Sequence, residues 1–282
     1  MTLRYEDFKT VLPNAHEYEN YLLDLCVFHE DSHPSMLVFK DGWWRCLGCN
    51  RWGGWITLWN KLKGQPVIVH PEHKTGWRGP DIRGYESLEQ LSYQAHMDLI
   101  QFSSFQWYLE QRGLAGRIET NELGYFEGWY TIPVTNKDGE FVTAVFRAAP
   151  HVQKVTGERY WAHHAPVPFV PDWNLFKKSK AVFVVYGMLD ALTLAELRLP
   201  VMTSTAGQGR FNPEWLDEYR KPIVIVPDEG EEKSAVELQK SLGWRGRTLH
   251  LDYPYGKKDP NGFFEANRGD DLYKQLLPYI GG

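Results

Sequence analysis

The stretch CVFHEDSHPSMLVFKDGWWRCLGCNRWGGWITLW, Cys26–Trp59, decides how the beginning of this chain folds. Cys26-x2-His29 is followed, after sixteen intervening residues, by Cys46-x2-Cys49, and these are all three cysteines of the chain. Each x2 pair fits one tight knuckle, so the two pairs offer four soft or borderline ligands at tetrahedral spacing. The spacing predicts a structural zinc ion held by Cys26, His29, Cys46 and Cys49. Four protein ligands close such a site, so the metal folds the module and leaves no position for substrate. Three buried free cysteines are the alternative reading. Between the pairs, Met36–Lys40 and Trp43–Cys46 are β-prone runs joined by Asp41-Gly42, a strong hairpin signal. GGWITLWNKL predicts a helix with Trp55, Leu58, Trp59 and Leu62 on one face. Upstream, HEYENYLLDL reads as a short helix leading into Cys26.

Charge and composition set limits around this module. The chain has 282 residues, with 43% hydrophobic and 24% charged, an ordinary globular composition. Its apolar runs are far below the ~18 residues of a membrane span. MTLRYEDFKT has no apolar signal-peptide core, and three cysteines suit a reducing compartment, so a cytoplasmic location is expected. The formal charge of −5 argues against coating nucleic acid by bulk charge. Residues 40–83 run the other way, with eight Lys or Arg against three Asp or Glu and six of the twelve tryptophans. Cations mixed with aromatic faces suit unpaired nucleic acid, which makes Arg45, Arg51, Trp43 and Trp44 candidates for contact with it. The other reading of these rings is the core of a small module.

Downstream the pattern changes. Residues 64–84 hold three prolines and four glycines without periodicity and read as a linker. His70-x2-His73 within it, and His163-His164 beside Pro166 and Pro168, read as ordinary loop histidines. A helical stretch from Ser87 through Arg112 precedes strand-like runs at Trp129–Val134 and Phe141–Arg147, joined at Asn136–Gly139. From Lys180 strands and helices alternate. The strands are AVFVV, VMTST, IVIVP and TLHLDY; the helices lie near Leu189–Leu199, Pro213–Arg220, Glu231–Leu242 and Gly262–Leu277. That alternation predicts an α/β core with a mostly parallel sheet. The expected divisions are a zinc-ribbon domain 1–63, a linker 64–84, the first part of the core 85–179, and a last domain 180–282. No GxxxxGK[ST] or GxSxG motif is present, which excludes a fused P-loop motor and an α/β-hydrolase nucleophile.

The Cys26–Trp59 stretch resembles the zinc ribbon of bacterial DnaG-type primases, including its HxDxxPS-like segment at His29–Ser35. The resemblance continues through YLEQRGLAGRIETNELGYF, WYTIPVTNKDGEFVTAVFRAAP and GERYWAHH. AVFVVYGMLDALTLAELRLPVMTSTAG looks like the opening of a Toprim domain, and IVIVPDEGEEKSA and GKKDPNGFF resemble its later acidic motifs. The resemblance implies a zinc ribbon that helps select template, and a core that binds single-stranded DNA along a basic ridge. It also implies a Toprim-like sheet whose carboxylates hold Mg2+ or Mn2+ for nucleotidyl transfer and primer synthesis. Arg112, Arg147 and Arg159 fall where the family's core basic residues lie. Asp190, Asp228 and Asp259 stand in register with its catalytic carboxylates. The implied partners are template, nucleotides and a separate replicative helicase, since the family's helicase-binding domain finds no room after residue 277. The implied setting is a bacterial or phage-infected cell.

The Toprim motifs are eroded. Tyr186 stands at the glutamate of Glu-Gly-x-x-Asp, Gly230 at the second aspartate of Asp-x-Asp, and Asn261 at the partner position after Asp259. A phenol with an ordinary pKa near ~10 does not replace a carboxylate at neutral pH. Glu229, Glu231 and Glu232 lie close enough in sequence to substitute. Two functions therefore stand side by side. One is an active primase. The other is a catalytically degenerate Toprim protein that binds nucleic acid or a partner in mobile-element replication or defence.

Overall fold

The computed structural model describes residues 3–40, 42–49, 51–64, 85–101, 103–157, 159–162, 165–207 and 210–280. The 64–84 linker, apart from Gly64, and both histidine pairs lie outside the described residues. The chain divides into two compact units. One comprises residues up to 108 with 123–131 and 146–161; the other comprises 109–122, 132–145 and residues from 162 on.

The first unit begins with helix α1 (Tyr5–Val11) and an antiparallel sheet of β1 (His16–Glu17), β2 (Tyr21–Asp24), β3 (Met36–Phe39), β4 (Trp43–Cys46) and β5 (Trp52–Gly54) in sequential order. HEYENYLLDL is thus two strands, not the expected helix. Tyr21–Asp24 alternates half-buried and buried, with Leu22 and Asp24 inward, and pairs along its length with β3, from Tyr21 opposite Phe39 to Asp24 opposite Met36. Cross-strand pairing and a period-two burial override the helical propensity of the leucines. The β3–β4 hairpin forms as expected, with Gly42 at φ 101. Helix α2 (Trp55–Leu62) follows, with Trp55 and Leu58 inside and Trp59 against the edge of Phe8. The long helical stretch is two helices, α3 (Leu88–Gln101) and α4 (Ser103–Gln111).

Helix α5 (Arg117–Thr120) leads to a four-stranded sheet of β6 (Gly124–Phe126), β7 (Trp129–Thr135), β8 (Phe141–Ala148) and β9 (Tyr160–Ala162), with α6 (Pro150–Thr156) between the last two. The β7–β8 turn is closed by the Gly139 N–H donating to Asn136 O at 3.1 Å.

The second unit is built on a sheet ordered β10-β12-β11-β13-β14: β10 (Pro168–Phe169), β11 (Val182–Val184), β12 (Val201–Ser204), β13 (Ile223–Ile225) and β14 (Gly246–Thr248). β12, β11, β13 and β14 are parallel; β10 joins the edge antiparallel. Parallel pairing is therefore confined to one of three sheets, and the expectation of a mostly parallel core holds only there. Strands β11, β12 and β13 are buried at every residue, as central strands of a sheet covered on both faces must be. The sequence pattern missed β10, which is two residues long. Helix α7 (Trp173–Lys178) precedes β11, and the crossovers carry α8 (Met188–Glu196) and α9 (Glu232–Leu242). A 3-10 turn, Pro213–Leu216, replaces the helix expected near Pro213–Arg220. The last expected helix is broken into α10 (Asn261–Glu265) and α11 (Gly269–Leu276).

Candidate functional sites

The first site is the Cys–His–Cys–Cys group. β4 ends in Cys46, and the loop after β2 carries Cys26 and His29. Because β2, β3 and β4 are adjacent, the two knuckles arrive side by side. The four ligand atoms all lie within 4.8 Å of one another. Cys26 Sγ is 3.9 Å from Cys49 Sγ, and Cys46 Sγ is 3.9 Å from His29 Nδ1. Tetrahedral zinc with Zn–S near ~2.3 Å places its sulfurs about 3.8 Å apart, so the side chains fit that ion. Burial pushes the Cys26 thiol up to about 12, against a hydrogen bond from the Phe28 N–H. Burial also opposes ionisation of Cys46, but hydrogen bonds from Ser35 and the Cys49 N–H outweigh it and lower that thiol. The Gly48 and Cys49 N–H groups both donate to Cys46 Sγ at 3.2 Å. A second layer supports the ligands. Asp31 lies 3.7 Å from His29 Nε2 and accepts from the Cys26 N–H at 2.9 Å, and Arg51 donates to the Phe28 carbonyl of the first knuckle.

The sequence-named nucleic-acid contacts divide here. Trp43 and Trp44 are buried, Trp44 completely, with their rings stacked on Phe39 at 4.0 Å and on Phe28 at 4.2 Å. This corrects the reading of these two as base-stacking residues: rings closed off from solvent in the core are out of reach of a base. Arg51 is occupied by the knuckle. Arg45 is half-buried on β4, and Arg159 is exposed just before β9. Arg147 is buried at 4% exposure; it donates to Tyr108 Oη at 3.3 Å and lies over the Tyr160 ring at 4.6 Å. Lys40, Lys61 and Lys63 likewise sit over Tyr5, Phe28 and Trp59, so part of the cation–aromatic content of this region is consumed internally.

The second site is the C-terminal edge of the parallel strands, where open α/β sheets bind ligands. β11 delivers Tyr186, β13 delivers Asp228, and the chain beyond β14 delivers Tyr253 and Asp259. Asp190 sits in the first turn of α8. Burial first, then the charges of Asp228, Asp190, Asp259 and Glu232, push the Tyr253 phenol far up. The Tyr253 hydroxyl donates to Pro227 O at 2.6 Å, and the Glu229 N–H donates to Lys258 O at 2.7 Å, tying the Asp228 loop to the Asp259 loop.

Within this edge the carboxylates are differently employed. Asp190 is buried and accepts from the Asn261 N–H at 2.9 Å. A Cβ on Gly187 would stand 2.1 Å from its Oδ2, so only glycine lets the carboxylate fold back over the helix start. Asn261 is itself buried. It donates to Arg112 O at 3.0 Å and Thr193 Oγ1 at 2.7 Å, and accepts from Arg112 Nη1 at 2.7 Å. Arg112 also pairs with Glu265 at 2.8 Å. Arg112 and Asn261 thus form a buried polar knot that sequence reasoning missed, because its members are 149 residues apart. Asp259 accepts from the Gly262 N–H at 2.8 Å at the start of α10. Glu231 is half-buried, and burial, then Glu232, raises its carboxyl. Burial raises the Tyr186 phenol further, so it is neutral at pH 7. Among the described residues the Cys–His–Cys–Cys group is the one set of three or more such side chains placed to hold a metal. The carboxylates as placed do not make a magnesium site by themselves.

No family model matches the sequence, and no curated protein matches it. Solved structures do match. The zinc-binding and RNA polymerase domains of the Aquifex aeolicus primase match 98% of this chain and 83% of their own, at 16% identity and a TM-score of 0.52. The RNA polymerase domain of Mycobacterium tuberculosis primase DnaG, solved with double-stranded DNA, covers 67% of this chain and 78% of its own, at 14% identity and a TM-score of 0.55. The same domain, solved with a double-stranded oligomer bearing a 6-nucleotide overhang, gives 15% identity and a TM-score of 0.53. The fold is that of DnaG-type primase zinc-binding and polymerase domains, and the Cys–His–Cys–Cys group is in place.

Proposed function

We propose that this chain is a primase-type DNA replication protein. It binds single-stranded DNA through its cationic surface and synthesises short primers from nucleotides. Zinc on Cys26, His29, Cys46 and Cys49 organises residues 1–63, residues 64–84 link them to the core, and 180–282 form a Toprim-like domain. A replication protein of this kind acts in the cytoplasm of a bacterial or phage-infected cell, beside a replicative helicase. The observation that carries the reading is the primase-type fold with the Cys–His–Cys–Cys group in place, together with the Glu229 N–H to Lys258 O bond that joins the Asp228 loop to the Asp259 loop.

Phosphoryl transfer needs in-line positioning and neutralised oxygens, and a divalent ion on carboxylates supplies both. Asp228 and Asp259 are the residues toward such an ion; Arg147 and Arg159 are candidates for phosphate contact. A second reading, a degenerate scaffold that binds nucleic acid without making primers, draws on one observation. Asp190 is committed to the Asn261 N–H, and Tyr186 brings no charge. Primer synthesis on single-stranded DNA with magnesium or manganese separates the two. Product that disappears in Asp228→Ala supports the enzyme. Absence of product with salt-sensitive binding retained supports the scaffold. Absence of both overturns both.

A further inference from the structure

The loop that carries Asp259 also carries a residue that neither the core nor the site explains. Tyr255 is fully exposed. It is the second residue of a four-residue turn, Pro254–Lys257, closed by the Lys257 N–H donating to Pro254 O at 2.9 Å. Gly256 follows it at φ 73, the left-handed geometry that the third position of a type II turn demands. The turn is anchored on both sides. Tyr253 is bonded to Pro227 and Lys258 O to the Glu229 N–H, which fixes it to the segment bearing Asp228. The ring is therefore held outward by an anchored turn at the ligand-binding edge of the sheet.

Its neighbours narrow the ligand. Pro254 is buried and Gly256 has no side chain, so the chain neighbours of Tyr255 add no apolar surface to its ring. Lys257 is engaged with Glu265 at 2.6 Å, and Lys258, three residues beyond Tyr255, is exposed. Residues 252–261 hold two lysines and two aspartates, and with Lys257 paired it is Lys258 that this loop offers to an anion. A projecting flat ring with an exposed cation in the same loop suits one chemistry above others, an unstacked base with its phosphate. Resting on the single-strand-binding part of the function proposed above, we infer that Tyr255 is a stacking platform for an unpaired base of single-stranded DNA and that Lys258 contacts the adjoining phosphate.

The test is anisotropy of a fluorescent oligothymidylate with the whole zinc-containing protein, without added divalent metal. Tyr255→Ala weakens binding about 5- to 150-fold, the range for loss of one base–ring stack. Tyr255→Phe and Tyr255→Trp stay within about twofold of wild type, since the face and not the hydroxyl is used. Lys258→Ala flattens the slope of log affinity against log salt by about 0.7, one phosphate's share on a single strand, and Tyr255→Ala leaves that slope unchanged. On an oligonucleotide of abasic sites the gap between wild type and Tyr255→Ala closes. Tyr255→Ala binding as tightly as wild type overturns this inference alone. Wild-type protein that does not bind the oligonucleotide overturns it together with the single-strand-binding function.

Discussion

Asn261→Ala tests the buried knot of the second unit. The substitution removes three side-chain hydrogen bonds, to Arg112 O, to Thr193 Oγ1 and from Arg112 Nη1. Two are neutral and contribute ~0.5–1.5 kcal/mol each; the guanidinium bond contributes ~1.5–3 kcal/mol. Asn261 is 1% exposed and Thr193 fully covered, so water does not restore the Thr193 bond, whereas the half-buried Arg112 side chain recovers part of its loss from water. Arg112 keeps Glu265 at 2.8 Å, which limits the damage. The expected loss is about 3–5 kcal/mol, a large part of an ordinary domain's ~5–15 kcal/mol. Urea unfolding followed by circular dichroism reads it as a lower midpoint at unchanged slope. Asn261→Asp sharpens the result. It keeps the acceptor for Arg112 but turns both donors into an oxygen facing the Arg112 carbonyl, so it also destabilises, by about 2 kcal/mol or more. A loss below about 0.5 kcal/mol in Asn261→Ala would refute the knot as a structural element.

Four further substitutions have expected outcomes. Gly187→Ala drives a methyl into Asp190 Oδ2 and breaks its bond to the Asn261 N–H, costing about 1–3 kcal/mol in the same unfolding assay. Asp98→Asn concerns pH: burial holds the Asp98 carboxyl above its ordinary range, against a hydrogen bond from Gln94. A raised acid penalises the native state once the group ionises. The variant is therefore more thermostable than wild type at pH 7, and the advantage fades as pH falls through the raised native value and is gone below the ordinary aspartate value near ~4. Trp44→Ala removes a ring buried on Phe28 and costs about 3–5 kcal/mol, whereas Arg159→Ala leaves stability within ~0.5 kcal/mol, both read from thermal melts.

Local chemistry explains what the sequence made legible. The ligand pairs and the hairpin between them lie within 24 residues, and each signal, the x2 knuckle and Asp-Gly, acts over a few residues. The β11-to-β14 alternation was readable because central parallel strands must be apolar on both faces. Tyr21–Asp24 was misread because its strand state is imposed by pairing with β3, which no local pattern of leucines announces. Trp43 and Trp44 show the limit of composition: an aromatic beside a cation serves a core as readily as a base, and only Phe39 and Phe28 decide which. The Arg112–Asn261–Asp190 arrangement was invisible because hydrogen bonds between distant segments leave no periodicity. It also explains why Asn261 can stand where the resemblance implied a carboxylate: an amide both donates and accepts, and this position needs both.

The zinc centre underlies the whole account, and metal content tests it most directly. Purified protein dialysed against metal-free buffer is expected to carry about one zinc per chain by elemental analysis, with its three thiols unreactive toward Ellman's reagent until a strong chelator is added; chelation then unfolds residues 3–62, and Cys46→Ser retains little metal. Protein that is folded, free of zinc and reactive at all three cysteines would contradict it.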